Sequence, residues 1–189
     1  NTDELLKIIP WNEINEFKKR ALNVNCGVQY GLAENEDIYF QSVEARNELY
    51  NKMPDIVNYY MEQINSIQKT DYKPFNYYGS NVAENIIVAM GSVTDTIKLV
   101  VDKINANGGN VGLINVHLYR PFSIKHLLDV LPLTVKNIAV LDRTKEAGSI
   151  GEPLYLDVVS ALKDKDINIV GGRYGLSSKN TTPKDIYSV

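Results

Sequence analysis

The sequence predicts an α/β fold: a three-layer α/β/α sandwich around a mostly parallel sheet, preceded by a largely helical extension. Three observations carry this. Short apolar runs begin at Asn85, Val111, Asn137 and Ile167, at steps of roughly 26–30 residues, the length of a strand–helix–strand unit. Each run is followed by a stretch with helical spacing, and right-handed crossovers then give parallel strands with helices on both faces. Residues 1–80 lack that rhythm.

The division expected from this is an extension over residues 1–80 and an α/β domain over 81–189. Within the extension, Ile14, Phe17 and Ala21 share a face beside Lys18, Lys19 and Arg20, which predicts a short amphipathic helix over 12–22. Residues 23–40 read as irregular, with a strand at Asp37 to Phe40. Gln41 to Lys52 reads as helix, and Pro54 as the first turn of another. Ile56, Tyr60, Ile64 and Ile67 mark the clearest helical face of this half. Tyrosines crowd the region (Tyr30, Tyr39, Tyr50, Tyr59, Tyr60, Tyr72, Tyr77, Tyr78), as on ordinary half-buried surfaces and on docking surfaces alike. Helices without a sheet of their own favour an arm that packs on something else. Lys69 to Ser80, punctuated by Pro74 and Gly79, reads as a connector.

The regular half opens with a strand at Asn85 to Met90, apolar enough to be buried on both faces. It breaks at Gly91. Ser92 is expected to cap a helix over 93–107, with Asp95 reaching back to the cap and Gly108-Gly109 ending it. The second strand is Val111 to His117. Ser123 caps a short helix ending at Pro132. The third strand, Asn137 to Asp142, leads through a polar loop to a helix over 152–163 with Leu154, Val158, Ala161 and Leu162 on its core face. The fourth strand is Ile167 to Val170, followed by a loop from Gly171 to Ser178. Thr182-Pro183 with Asp185 starts a terminal helix.

Composition narrows the chemistry. A net charge of −3 and 44% hydrophobic residues fit a chain with a real core and no basic surface for nucleic acid or an anionic membrane. No apolar run has bilayer-spanning length. The single cysteine, Cys26, cannot staple the fold, hold an iron–sulfur cluster or complete a zinc site, and fits a reducing, cytoplasmic setting as a plain thiol. The acidic start without Met is expected of a fragment or a processed chain.

Ligands of such sheets bind beyond the carboxyl ends of the strands. The residues there that suit anion binding or an interdomain contact are Gly91, Ser92, Thr94, Arg120, Arg143, Lys145 and Arg173. The Gly91 turn is one glycine, not a Gly-x-Gly-x-x-Gly cradle, and Asp95 in the first helical turn opposes a phosphate. Arg143 and Lys145 stand beside Asp142 and Glu146, a mixture that favours structural ion pairs. Arg120 and Arg173 have the fork for a carboxylate or phosphate, or for a loop-fixing salt bridge. His117 ends a strand, and His126, beside Lys125, is expected on an exposed face; neither has metal-ligand spacing. No Gly-x-Ser-x-Gly elbow is present. No catalytic residue is assigned.

Five segments in order carry a family resemblance: Ile86 to Thr96, His117 to Phe122 (His-Leu-Tyr-Arg-Pro-Phe), Ala139 to Gly148, Gly151 to Asp157 and Gly171 to Lys179. Together they resemble the second domain of pyruvate:ferredoxin (flavodoxin) oxidoreductase, a long thiamine diphosphate-dependent enzyme. Gly31 to Tyr50 resembles the segment leading out of its first domain, departing from it at Leu32 and Glu34. The resemblance implies a fold like the C-terminal domain of transketolase. It implies a parent enzyme that decarboxylates pyruvate, forms acetyl-CoA and CO2, and passes electrons through iron–sulfur clusters to ferredoxin or flavodoxin. Thiamine diphosphate, Mg and [4Fe-4S] clusters are expected in other domains, with none in this chain, which lacks a Gly-Asp-Gly motif. The implied role here is scaffold and subunit contact within a homodimeric enzyme. Two alternatives stay open: the C-terminal domain of a transketolase or 2-oxo acid dehydrogenase β subunit, and a small anion- or nucleotide-binding module.

Overall fold

A computed structural model describes residues 2–25, 27 and 33–189. Cys26, Tyr30, Gly31 and Leu32 lie outside the described residues. The chain divides into two compact units, one ending at Asp71 and one running from Tyr72 to Val189.

The first unit holds α1 (Thr2–Lys7), α2 (Trp11–Lys19), α3 (Tyr39–Glu44) and α4 (Asn47–Gln68). The strand expected at Asp37 to Phe40 is absent; that segment is a turn leading into α3. The expected break at Pro54 is absent too. Proline has no N–H to donate to the carbonyl four residues back, a loss of about 3 kcal/mol in a helix interior. The helix nevertheless runs through, with the Pro54 ring buried. It ends at Lys69, in the left-handed region with its N–H on the Asn65 carbonyl at 2.8 Å. Pro54 is the one buried side chain among this unit's described residues, while Trp11, Phe17, Phe40, Tyr50 and Ile56 are exposed.

The second unit contains β1 (Phe75–Gly79), β2 (Asn85–Met90), α5 (Val93–Ala106), β3 (Val111–Val116), α6 (Ile124–Val130), β4 (Asn137–Asp142), α7 (Pro153–Ala161), β5 (Asn168–Arg173) and α8 (Pro183–Tyr187). The sheet order is β1-β3-β2-β4-β5. All neighbours are parallel except β1, which runs antiparallel to β3 with Phe75 opposite Val116. This is the mostly parallel α/β architecture the spacing predicts.

β1 is the strand that the sequence does not announce. Its five residues sit between Pro74 and Gly79, both of which read as punctuation. Here they bracket an edge strand. The Pro74 carbonyl accepts the N–H groups of His117 and Leu118. Gly79 has φ 122°, and a Cβ there would meet the Val111 carbonyl oxygen at 2.6 Å, so only glycine fits. Phe75 is buried, its ring edge-on to Phe122 at 5.5 Å. The boundary therefore falls at Asp71/Tyr72 rather than after Ser80.

The two faces of the sheet bury separate cores. Ile86, Val88, Ile114, Ile138 and Val140 pack under α6 and α7, against Leu127, Leu154 and Val158. Ala89, Leu113 and Leu141 pack under α5 and α8, against Ile97, Val101 and Ile186. β5 extends three residues past the expected end because Gly171, Gly172 and Arg173 pair with Val140, Leu141 and Asp142. The glycines look like loop in sequence. In the sheet, Gly171 lies under the Tyr155 ring and Gly172 against Leu141. Two caps form as the sequence predicts. The Ser123 hydroxyl accepts the His126 N–H, and Thr182 with Asp185 makes a reciprocal capping box.

Candidate functional site at the carboxyl edge of the sheet

β2 and β4 are neighbours, yet the chain leaves β2 for α5 on one face and β4 for α7 on the other. This is the switch point of an open α/β sheet, where diverging loops leave a crevice. A crevice of about 240 Å³ opens there. Ser92 and Thr96 from the start of α5, Arg143 after β4, and Tyr174, Lys179 and Thr181 after β5 line it. Its walls are fixed by three bonds. The Tyr174 hydroxyl donates to the Met90 carbonyl at 3.3 Å, the Tyr174 N–H to the Asp142 carbonyl at 3.1 Å, and Arg143 Nε to the Gly175 carbonyl at 3.2 Å. Gly175, Ser177 and Ser178 all have positive φ, an uncommon conformation for the two serines.

The Gly91 turn departs from expectation. Ser92 is already helical and its side chain makes no capping bond. Thr94 does the local work: it is buried, and its hydroxyl donates to the Gly91 carbonyl at 2.8 Å. Asp95 does not reach back to the cap; its carboxylate meets Lys98 one turn on, at 3.3 Å. Gly91 itself, at φ 78°, makes the turn.

The basic residues split into separate places. Lys145 and Arg173 converge on Glu152, at 3.7 and 3.0 Å from Oε1. Glu152 is only 4% exposed and also accepts the Glu146 N–H at 2.6 Å. That backbone bond, and after it the Arg173 guanidinium and the Lys145 charge, hold its pKa below the usual carboxylate value. The sequence offers Asp142 and Glu146 as partners for Arg143 and Lys145, and an unnamed carboxylate for Arg173. The acceptor is instead Glu152, which the sequence shows only as a helix start.

Asp142 faces α7 and accepts the N–H groups of Leu154 and Tyr155 at 3.0 and 3.1 Å. It thereby satisfies two of the helix's orphan donors. Burial pushes its pKa up, and the two N–H bonds oppose that shift.

Arg120 lies apart, between the β3–α6 loop and α7. Its Nη1 is 2.7 Å from Asp157 Oδ2, and its guanidinium stacks on Tyr119 at 3.9 Å. His117 has Tyr72 edge-on at 5.1 Å, and its pKa is lowered by burial and then by the Lys98 charge. His126 is half-buried rather than exposed, its Nδ1 2.8 Å from the Ser123 hydroxyl. Of the seven expected site residues, only Ser92 and Arg143 line the crevice together. Lys179 is a lining cation that the sequence reading misses, since nothing local marks it.

A second, apolar pocket of about 160 Å³ lies at the opposite end of the sheet, under α5 and α8, with Ile87, Ala139 and Val170 on its floor. Asn85, Asn137 and Asn168 form an amide row along it, with bonds of 2.9 and 3.4 Å. No charged side chain lines it among the described residues. Among the described residues, no group of three His, Cys, Asp or Glu is placed to hold a metal ion, and no helix is long and apolar enough to cross a membrane.

Residues 83–186 match the family model for pyruvate:ferredoxin oxidoreductase core domain II. The chain is 47% identical to a pyruvate-flavodoxin oxidoreductase of Enterobacter agglomerans and 48% identical to a pyruvate:ferredoxin oxidoreductase of Moorella thermoacetica. Each alignment covers 99% of this chain and 16% of the relative, so the chain spans about a sixth of their length. Among solved structures, it is similar to a 2-oxoglutarate:ferredoxin oxidoreductase from Magnetococcus marinus, with TM-score 0.47 and 16% identity over 89% of this chain and 26% of that one.

Proposed function

The chain belongs to the pyruvate:ferredoxin oxidoreductase core domain II family, and on that premise we propose that it is a scaffold and contact piece of a longer pyruvate oxidoreductase. That enzyme would decarboxylate pyruvate with thiamine diphosphate and Mg, form acetyl-CoA and CO2, and reduce ferredoxin or flavodoxin. It would act as a cytoplasmic homodimer, with this chain held against other domains of the same enzyme. The observation that carries the reading is near-complete coverage of this chain by relatives that bear those names.

The residues support a structural role. A [4Fe-4S] cluster takes four thiolates, and this chain has one cysteine. A cluster held wholly by this chain therefore does not fit here. At the carboxyl edge, Glu152, Asp142 and Asp157 are engaged with Arg173, the α7 N–H groups and Arg120. Groups so engaged hold loops in place. The nearly coreless first unit, with Trp11, Phe17, Phe40 and Ile56 exposed, suits an arm whose apolar side chains are covered by the rest of the enzyme.

The test is an assay of this chain with pyruvate, CoA, thiamine diphosphate, Mg and an electron acceptor. No turnover is expected. Turnover by the chain alone overturns the proposal.

A further inference from the structure

We infer that the crevice at the switch point binds a phosphate or diphosphate group. This stands independently of the scaffold reading. The observation is which cations of the carboxyl edge are neutralised and which are not. Arg120 pairs with Asp157, and Lys145 and Arg173 share Glu152. Arg143 and Lys179 form no salt bridge within 4 Å among the described residues, and they are the two cations that line the crevice.

The nearby acids are committed elsewhere. Asp95 meets Lys98, and Asp185, whose carboxylate also feels the Lys179 charge at longer range, accepts the Thr182 N–H and hydroxyl, each at 2.8 Å. Among the described residues no acid lines the crevice; its other polar groups include the hydroxyls of Ser92, Thr96 and Thr181. Two cations outside any close salt bridge, set among hydroxyl donors, make a pocket that selects an anion. Arg143 supplies a planar fork for two oxygens of one phosphorus, and Lys179 a mobile point charge. At about 240 Å³ the space falls below the roughly 300–1,000 Å³ of pockets that enclose a drug-sized ligand. It suits the phosphate end of a ligand rather than a whole nucleotide.

The test is calorimetric titration of the full chain with orthophosphate, pyrophosphate and ADP at low salt. Saturable binding of pyrophosphate is expected, weakened by roughly tenfold or more in Arg143→Gln and in Lys179→Gln, and partly recovered in Arg143→Lys. Both side chains are exposed; Arg143→Gln also removes the bond to the Gly175 carbonyl, whereas Lys179→Gln leaves all three wall bonds in place. Lys136→Gln, which removes a cation at the opposite edge where it pairs with Glu84, should bind as the parent does. Equal binding of ADP and pyrophosphate identifies the phosphate groups as the recognised part. Tighter ADP binding that still depends on Arg143 identifies them as the anchor of a larger ligand. No saturable binding, equal weakening by Lys136→Gln, or binding of ADP without pyrophosphate overturns the inference.

Discussion

Arg173 Nη1 lies 3.0 Å from Glu152 Oε1, which ties the end of β5 to the first turn of α7 across the loop that follows β4. The loop is fastened twice at this point, because Glu152 also takes the Glu146 N–H from within it. This contact has a pH consequence. A carboxylate whose folded pKa is depressed contributes stability above its unfolded value, and that contribution is lost as pH falls through the folded value. For Glu152 the contribution is in place above about 4.5 and disappears on further acidification. Thermal melts scanned downward from neutral pH should lose stability more steeply below that point in the parent than in Glu152→Gln. Parallel curves would contradict the assignment.

Asp142 acts in the opposite sense. Its folded pKa is raised by burial, so its contribution is present at low pH and is lost as pH rises through the folded value. Removing the carboxyl nevertheless destabilises, because the Leu154 and Tyr155 N–H groups lose their acceptor. Asp142→Ala should cost about 1–3 kcal/mol, measured by urea unfolding. A loss confined to a few tenths would show that water replaces the carboxylate freely.

Phe75 tests whether β1 belongs to the sheet domain. It is 1% exposed and packs edge-on against Phe122. Phe75→Ala should destabilise the second unit by about 3–5 kcal/mol, and hydrogen exchange should quicken in β3, its partner strand. Unchanged protection of β3 would place residues 75–79 outside the domain.

His117 is expected to titrate below its ordinary value of 6.5, because burial and then Lys98 disfavour its charged form. An imidazole with a lowered folded pKa contributes stability above 6.5 that is lost as pH falls through the folded value. Lys98→Gln should move the imidazole midpoint upward in an NMR titration. A midpoint that stays put removes Lys98 as a cause.

β2, β3 and β4 were legible because each is an apolar run buried on both faces, β5 because its apolar start falls at the same spacing, and the caps at Ser123 and Thr182 because capping chemistry is local. β1 was not, since Pro74 and Gly79 carry turn signals that only pairing with β3 overrides. The tail of β5 was hidden by two glycines whose use depends on Tyr155 and Leu141 lying against them. At the site, Lys179 was not legible, whereas Arg120, Arg143, Lys145 and Arg173 were legible as a set. Their partners were not, because Glu152 and Asp157 reach them through tertiary packing. Ser92 looked like a cap on spacing alone, whereas Thr94, two residues on, bonds the turn.

The most direct test of the structural role is Glu152→Gln placed in a full-length pyruvate oxidoreductase carrying this chain, with melting temperature and kcat measured together. The scaffold account predicts a lower melting temperature and an unchanged kcat at temperatures where the variant stays folded. An unchanged melting temperature with a fallen kcat would contradict it, and would move the carboxyl edge of this domain into the catalytic machinery.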